Sequence, residues 1–267
     1  MLVTKVKKTA VVLLGVSFVI GLSTSGAVPL LESFDKPVRK TVVNLGQSRT
    51  IMPNYPARIQ LSCFYYPGFM VKERNDQGVK GTQWVAVAPV INGDAPACRL
   101  AHAPAERFVA KEWWGFEGVK GSLLFLEAAD GDDNAGMPFR VLDMKTGNKI
   151  FEDSAGGGVG HMKFAHASDG SMSLRYLRRV GGDCSIPKDG MSCWSKFRRH
   201  YGLELTTVPK CLGYRHEGDK EWTVGDEGVP PEEINVPSAI DYPVVVELFP
   251  QPSFRAVPGP VQCFPQQ

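Results

Sequence analysis

A Gly-Val pair recurs at Gly78, Gly118 and Gly158, a spacing of about forty residues, and each copy leads into a short apolar or alternating run. The runs are TQWVAVAPVINGD, SLLFLEAADGDD and HMKFAHASDGS, and each holds an Asn-Gly or Asp-Gly dipeptide at its end. Those dipeptides favour the positive backbone angles of tight hairpin turns, so each run predicts a second strand returning antiparallel. The returning candidates are CRLAHA, FRVLDM and SLRYLRR. Turn chemistry from Lys145 to Asn148 then predicts a third strand, KIFEDS, with RFVAKEWW and SKFRRHYGL as its equivalents in the other copies.

A unit of about forty residues made of three or four strands cannot hide its own apolar faces and must stack on its neighbours. The expected fold class is therefore all-β, a propeller-like array of antiparallel β-sheet repeats with a period of about forty. The alternative is an irregular β-sandwich or meander in which the glycine register is coincidental. The segment FRVLDMKTGNKIFEDS resembles the strand, Asp-x-x-Thr-Gly turn, strand pattern of propeller blades, a resemblance of architecture alone. A ring also needs closure, and the best candidates to meet in one sheet are TVVNL, Thr41 to Leu45, and VVVEL, Val244 to Leu248. The 20 prolines all follow position 27, which argues for a loop-rich chain with little long helix.

The first residues read as an export signal. Lys5, Lys7 and Lys8 precede an apolar run from Thr9 to Leu22, and Ser25-Gly26-Ala27 is a small-residue cleavage site. The run is about fourteen residues long, short of the roughly 20 that span a bilayer as a helix, so no stable membrane anchor is expected after cleavage. The expected organisation is a signal peptide over 1–27 and a single all-β domain over 28–267, with a proline-rich tail over 250–267. Cleavage leaves 27 basic residues against 28 acidic ones. A chain so close to neutral lacks the long-range field that draws proteins to nucleic acid. Charge is still segregated locally: Arg175, Arg178, Arg179, Lys188, Lys196, Arg198 and Arg199 are clustered, and the stretch from Glu217 to Glu233 is acidic. These stretches are either solvated, mutually compensating faces or a docking surface in which Arg198 and Arg199 take part.

Six cysteines in an exported chain predict structural disulfides. Cys184 and Cys193 are the closest pair, and the Pro-Lys-Asp-Gly between them predicts a hairpin tip. Cys211 with Cys263 would tether the tail, and Cys63 with Cys98 would tie the first unit to what precedes it.

Candidate chemistry is sparse. Asp130, Asp132 and Asn134 alternate as the first three ligands of a calcium loop do, but Ala135 replaces the sixth-position glycine and Val141 the twelfth-position glutamate. A polar hairpin tip accounts for the same residues, and calcium is the sole cofactor the sequence suggests. Gly156 to His161, GGGVGH, lacks the Lys-Ser/Thr of a phosphate loop and reads as a flexible loop. His161 and His166 fall on opposite faces if the run between them is a strand, and His200 with Glu217 could meet only through the fold. Trp113 and Trp114 form the densest aromatic cluster: a platform for sugar rings, or core packing, with one of the two buried in either case. The function expected is that of a secreted or periplasmic, disulfide-stabilised β protein that binds a protein or glycan or serves a structural role. The alternative is an extracytoplasmic, glycan-acting hydrolase whose carboxylates gather in a central pocket.

Overall fold

The computed structural model describes residues 31–48, 57–79, 81–129, 136–166, 171–215, 223–224, 229 and 231–266. The expected signal segment and the calcium candidates Asp130, Asp132 and Asn134 lie outside them. The chain is mostly strand, in antiparallel sheets. A five-stranded sheet comes first: β1 (Arg39–Gln47), β2 (Arg58–Tyr66), β3 (Phe69–Asp76), β4 (Thr82–Pro89) and β5 (Arg107–Lys111), each paired with its neighbour in the chain. Pro67-Gly68 makes the sharp turn between β2 and β3, where the rings of Tyr66 and Phe69 stack at 4.9 Å.

A larger sheet of nine strands follows. Four come in succession: β6 (Trp114–Lys120), β7 (Leu123–Ala128), β8 (Met137–Asp143) and β9 (Lys149–Ala155). Next are β10 (Lys163–His166) and β11 (Met172–Gly181), then two short helices, α1 (Ile186–Asp189) and α2 (Met191–Tyr201). A two-stranded ribbon, β12 (Tyr214–Arg215) with β13 (Thr223–Val224), precedes the long β14 (Ser238–Glu247), β15 (Ser253–Ala256) and β16 (Gln262–Pro265). The path across the large sheet is β15-β14-β11-β9-β8-β7-β6, with β10 also on β11 and β16 also on β14.

Burial follows the strand period. Phe64, Tyr66, Val71, Val85 and Val87 of the small sheet pack on Val119, Leu124, Leu126 and Leu142 of the large one, a sheet-on-sheet core. The alternate residues of β7 and β8, Leu123, Phe125, Phe139 and Val141, face the other way into the main core. That same face continues through Tyr176 and Leu174 to Tyr242, Val244 and Val246, and α2 packs Trp194 and Phe197 into it. The apolar run of β7 thus reflects burial on both sides.

The outer face of the small sheet is covered by chain and not by strand. The Cys63–Cys98 disulfide and a buried ion pair between Lys72 and Glu106, 2.9 Å apart, hold residues 98–106 over it. Lys72 Nζ also donates to the Ala101 carbonyl, and Glu106 accepts the Ala103 amide.

The propeller expectation is overturned: among the described residues no sheet closes on itself, and the sheet-on-sheet meander is what forms. The three Gly-Val landmarks occupy non-equivalent places. Gly78 lies in the β3–β4 turn and Gly118 in the middle of β6. Gly158, at φ +74, starts a short 3-10 helix, Val159–His161. Gly118 is small for a packing reason, since a Cβ there would stand 2.6 Å from the Phe34 ring, which is wedged between Phe125 and Phe164. The expected closure also fails, because Thr41 to Leu45 belongs to β1 and Val244 to Glu247 to β14, in different sheets.

Of the returning strands, FRVLDM and SLRYLRR lie on β8 and β11, and KIFEDS on β9. The Asn92-Gly93 turn forms with both residues at positive φ, yet CRLAHA makes no strand, being drawn instead into the cover over the small sheet. SKFRRHYGL is not a strand but mostly α2, and the CSIPKDGMSC segment is two helices instead of a hairpin tip. Ser185 caps α1 by accepting the Lys188 amide, Pro187 sits in its first turn, and Gly202 ends α2 in the left-handed region. The Cys184–Cys193 and Cys211–Cys263 disulfides fix the helical pair and the chain end. Three disulfides fit an oxidising, extracytoplasmic environment. Among the described residues no helix is long and apolar enough to cross a membrane.

Candidate functional site

The chain passes from the small sheet to the large one through two residues, Glu112 and Trp113, and both hold positive φ, 40° and 71°. Side chains other than glycine rarely adopt that region, at a cost of roughly 1–2 kcal/mol each. Backbone hydrogen bonds hold the corner: the Glu112 amide donates to Gln83 O and the Ala129 amide to Trp113 O. Gly81 lies beneath it, where a Cβ would stand 3.1 Å from Trp113 Cα. Trp113 is therefore not on a strand, and 49 % of its surface is exposed. Trp114 opens β6 and packs at the edge of the inter-sheet core, with the Arg140 guanidinium 3.8 Å above its ring.

Three residues beyond Trp114 the β6–β7 register shifts between Phe116 and Gly118, which leaves Glu117 as the extra residue of a bulge. A bulge re-aims the side chain it carries. Glu117 here enters a cleft of about 410 Å³ at the mouth between the two sheets, which Glu73 and Glu127 also line. Glu73 comes from β3 and accepts the Phe116 amide at 3.0 Å and the Thr82 hydroxyl at 2.9 Å. Glu127 comes from β7 and accepts the Val159 amide at 2.5 Å, so the GGGVGH loop is pinned and not free. Both neighbours are thus anchored as hydrogen-bond acceptors, whereas Glu117 is the displaced group between them.

The Glu117 carboxyl is pushed up to about 7, first by withdrawal from bulk water in the cleft and then by the negative charges of Glu127 and Glu73. It keeps a solvent-exposed face that screens part of this repulsion. A carboxyl poised there can give or take a proton near neutral pH, or accept hydrogen bonds from hydroxyl groups.

The structure does not bring the other sequence candidates to this cleft. Arg198 and Arg199 are in the last turn of α2: Arg198 Nε donates to Leu203 O, and Arg199 lines a groove with Lys196, His200 and Asp183. Within the basic stretch Arg178 pairs with Asp153 and Arg179 with Asp241. His161 ends the 3-10 helix and His166 ends β10, so no continuous strand joins them. His200 packs edge-on against Tyr201, and its expected companion Glu217 lies outside the described residues. Among the described residues no group of three or more His, Cys, Asp or Glu could hold a metal ion.

Sequence reasoning missed Glu73, Glu117 and Glu127. The available signal was the charge in WGFEGVK, which interrupts an apolar strand beside a glycine, a mark of a bulge. No protein-family model matches this chain, and no curated protein or solved structure matches it.

Proposed function

We propose that this is an exported β protein that binds a hydroxyl-rich ligand, a glycan, in the cleft between its two sheets. The observation that carries the reading is Glu117, aimed by a bulge into a concave site between two anchored carboxylates, beside a tryptophan kept exposed in an unfavourable backbone conformation. Carboxylates accept hydrogen bonds from sugar hydroxyls, and an exposed indole offers an apolar face for a ring. Backbone strain kept at an exposed aromatic supports a functional reason for it. Export is supported by the disulfides and by the basic, apolar, small-residue order of the first residues.

The test is a panel of soluble oligosaccharides titrated against tryptophan fluorescence. A binding glycan should lose about fivefold or more in affinity with Trp113→Gly and with Glu117→Ala. Absence of any saccharide response, or unchanged affinity in both variants, refutes the reading.

A second reading, glycan hydrolysis, is favoured by one observation, the Glu117 carboxyl at about 7 next to two other carboxylates. A general acid with such a value beside a second carboxylate is the equipment of a glycosidase. Chromogenic glycosides assayed across pH should then show a limb near pH 7 that Glu117→Gln removes, and no turnover of any glycoside leaves the binding reading alone.

A further inference from the structure

Beside the triglycine turn is a second cavity of about 580 Å³ that the proposed function does not use. Its polar lining comprises Arg175 and Tyr176 on β11, Gln262 on β16, His161 and the backbone of Gly156 to Gly158. The Arg175 Nε–H is buried with no hydrogen-bond partner. A buried donor left unpaired is costly, and a guanidinium more so, which makes it an unexplained feature of this wall.

Glu247, two residues from Val245 on β14, is exposed on the same face of the ladder. Among the described residues no carboxylate forms an ion pair with Arg175. Two other acids near the loop are engaged elsewhere: Asp241 is bound through both oxygens by Arg179, at 2.7 and 2.8 Å, and Glu127 by the Val159 amide. Across the ladder Arg175 is flanked by Lys163 on β10 and Val245 on β14, so a second cation projects from the same face. The loop is packed closely on its own neighbours. A Cβ at Gly156 would collide with Asp241 at 2.3 Å, and the His161 ring lies 3.6 Å from where a Gly157 Cβ would be. The opposite wall is apolar, made by Leu177, Pro243, Val257 and Pro258. The volume is in the range of small-molecule sites.

We infer that this cavity binds an oxyanion headgroup carried on an apolar body, a phosphate, sulfate or carboxylate held by the Arg175 fork and His161 with its apolar part against Leu177 and the proline wall. The guanidinium offers two parallel N–H groups that match such an anion, and desolvation strengthens the contact. The Nε–H itself is sealed from solvent, so the terminal amino groups of the fork make the contact. The headgroup could arrive on a soluble molecule or on a lipid, and one experiment separates the two.

Phenyl phosphate, inorganic phosphate and phenol are titrated calorimetrically into the oxidised protein, and into Arg175→Gln and Arg175→Lys. Expected are saturable binding of phenyl phosphate, weaker binding of inorganic phosphate, none of phenol, and a loss of about 10- to 100-fold in Arg175→Gln. Arg175→Lys should recover only part, because the charge returns without the fork. Flotation with vesicles of phosphatidic acid in phosphatidylcholine decides the source: Arg175-dependent flotation assigns a lipid headgroup, and its absence a soluble ligand. If Arg175→Gln does not fold, the wild-type Arg175 Nε–Hε nuclear magnetic resonance signal serves instead, and it should move on titration with phenyl phosphate. No saturable binding to the wild type, equal affinity in Arg175→Gln, or an unmoved Nε–Hε signal overturns the inference.

Discussion

The corner at Glu112 and Trp113 makes a prediction that reverses the usual order of alanine and glycine. At an ordinary strand position glycine is less stable than alanine by roughly 0.5–1 kcal/mol, because it loses more backbone entropy on folding. At Trp113 the backbone stands at φ 71°, where any residue with a Cβ carries roughly 1–2 kcal/mol of strain and glycine carries none. Trp113→Ala and Trp113→Gly both delete the indole, half of which is exposed, so the packing loss cancels between them. The remainder is strain relief less the entropy cost, and Trp113→Gly should be the more stable of the two by about 0.5–1 kcal/mol. For a domain of this size that corresponds to a melting temperature higher by about 1–4 °C. The matched control is Phe108, 41 % exposed on neighbouring β5 without positive φ, where the alanine variant should be the more stable. Urea and thermal unfolding of the four oxidised variants measure both differences. If Trp113→Ala equals or exceeds Trp113→Gly while the Phe108 pair behaves normally, the strained corner does not exist in solution and the argument for Trp113 falls with it.

Other perturbations test the surrounding framework. The Glu117 carboxyl is raised in the folded state from an ordinary 4.5 to about 7, so its stabilising contribution is whole below pH 4.5 and lost as pH rises through 7. Urea midpoints should fall across that window in the wild type more steeply than in Glu117→Gln. Glu106→Ala strands Lys72 in a site where its side chain has no exposed surface and should cost about 3–5 kcal/mol by chemical denaturation, whereas Lys72→Met with Glu106→Leu should recover much of it. Gly118→Ala drives a methyl into the Phe34 ring and should cost about 1–3 kcal/mol, with Phe34→Ala in the same chain relieving the clash. Replacing Cys63 and Cys98 together by alanine opens a loop of 35 residues and should cost about 4 kcal/mol, against about 2.6 kcal/mol for Cys184 with Cys193, whose separation is 9.

The strands were legible where local chemistry dictates them. KTGN turns β8 into β9 because Asp143 accepts the Thr146 amide and Gly147 takes φ 76°, and both preferences belong to the residues themselves. The double burial of β7 was written in its apolar run. The helix was not legible: α2 has 11 residues, carries Arg198, Arg199 and His200 in its last turn, and owes its place to the main core that receives Trp194 and Phe197. The false repeat has the same origin. Gly78, Gly118 and Gly158 share a spacing but answer to a turn, a phenylalanine ring and a left-handed backbone, three separate demands that one dimension cannot tell apart. The site was hidden because Glu73, Glu117 and Glu127 are brought together only by the packing of two sheets, and the bulge that aims Glu117 is a property of the ladder.

Every pairing in the small sheet links segments adjacent along the chain, while β14 must reach back to β11 and also receive β15 and β16. Order of emergence therefore matters. A polypeptide emerging amino end first into the compartment where it folds can zip its opening meander at once, each hairpin closing on the last. The second half has to wait with β7 and β8 bared on one side until residues past 238 arrive. That interval is the vulnerable one, when a companion that shields sticky strands would be worth most to this molecule.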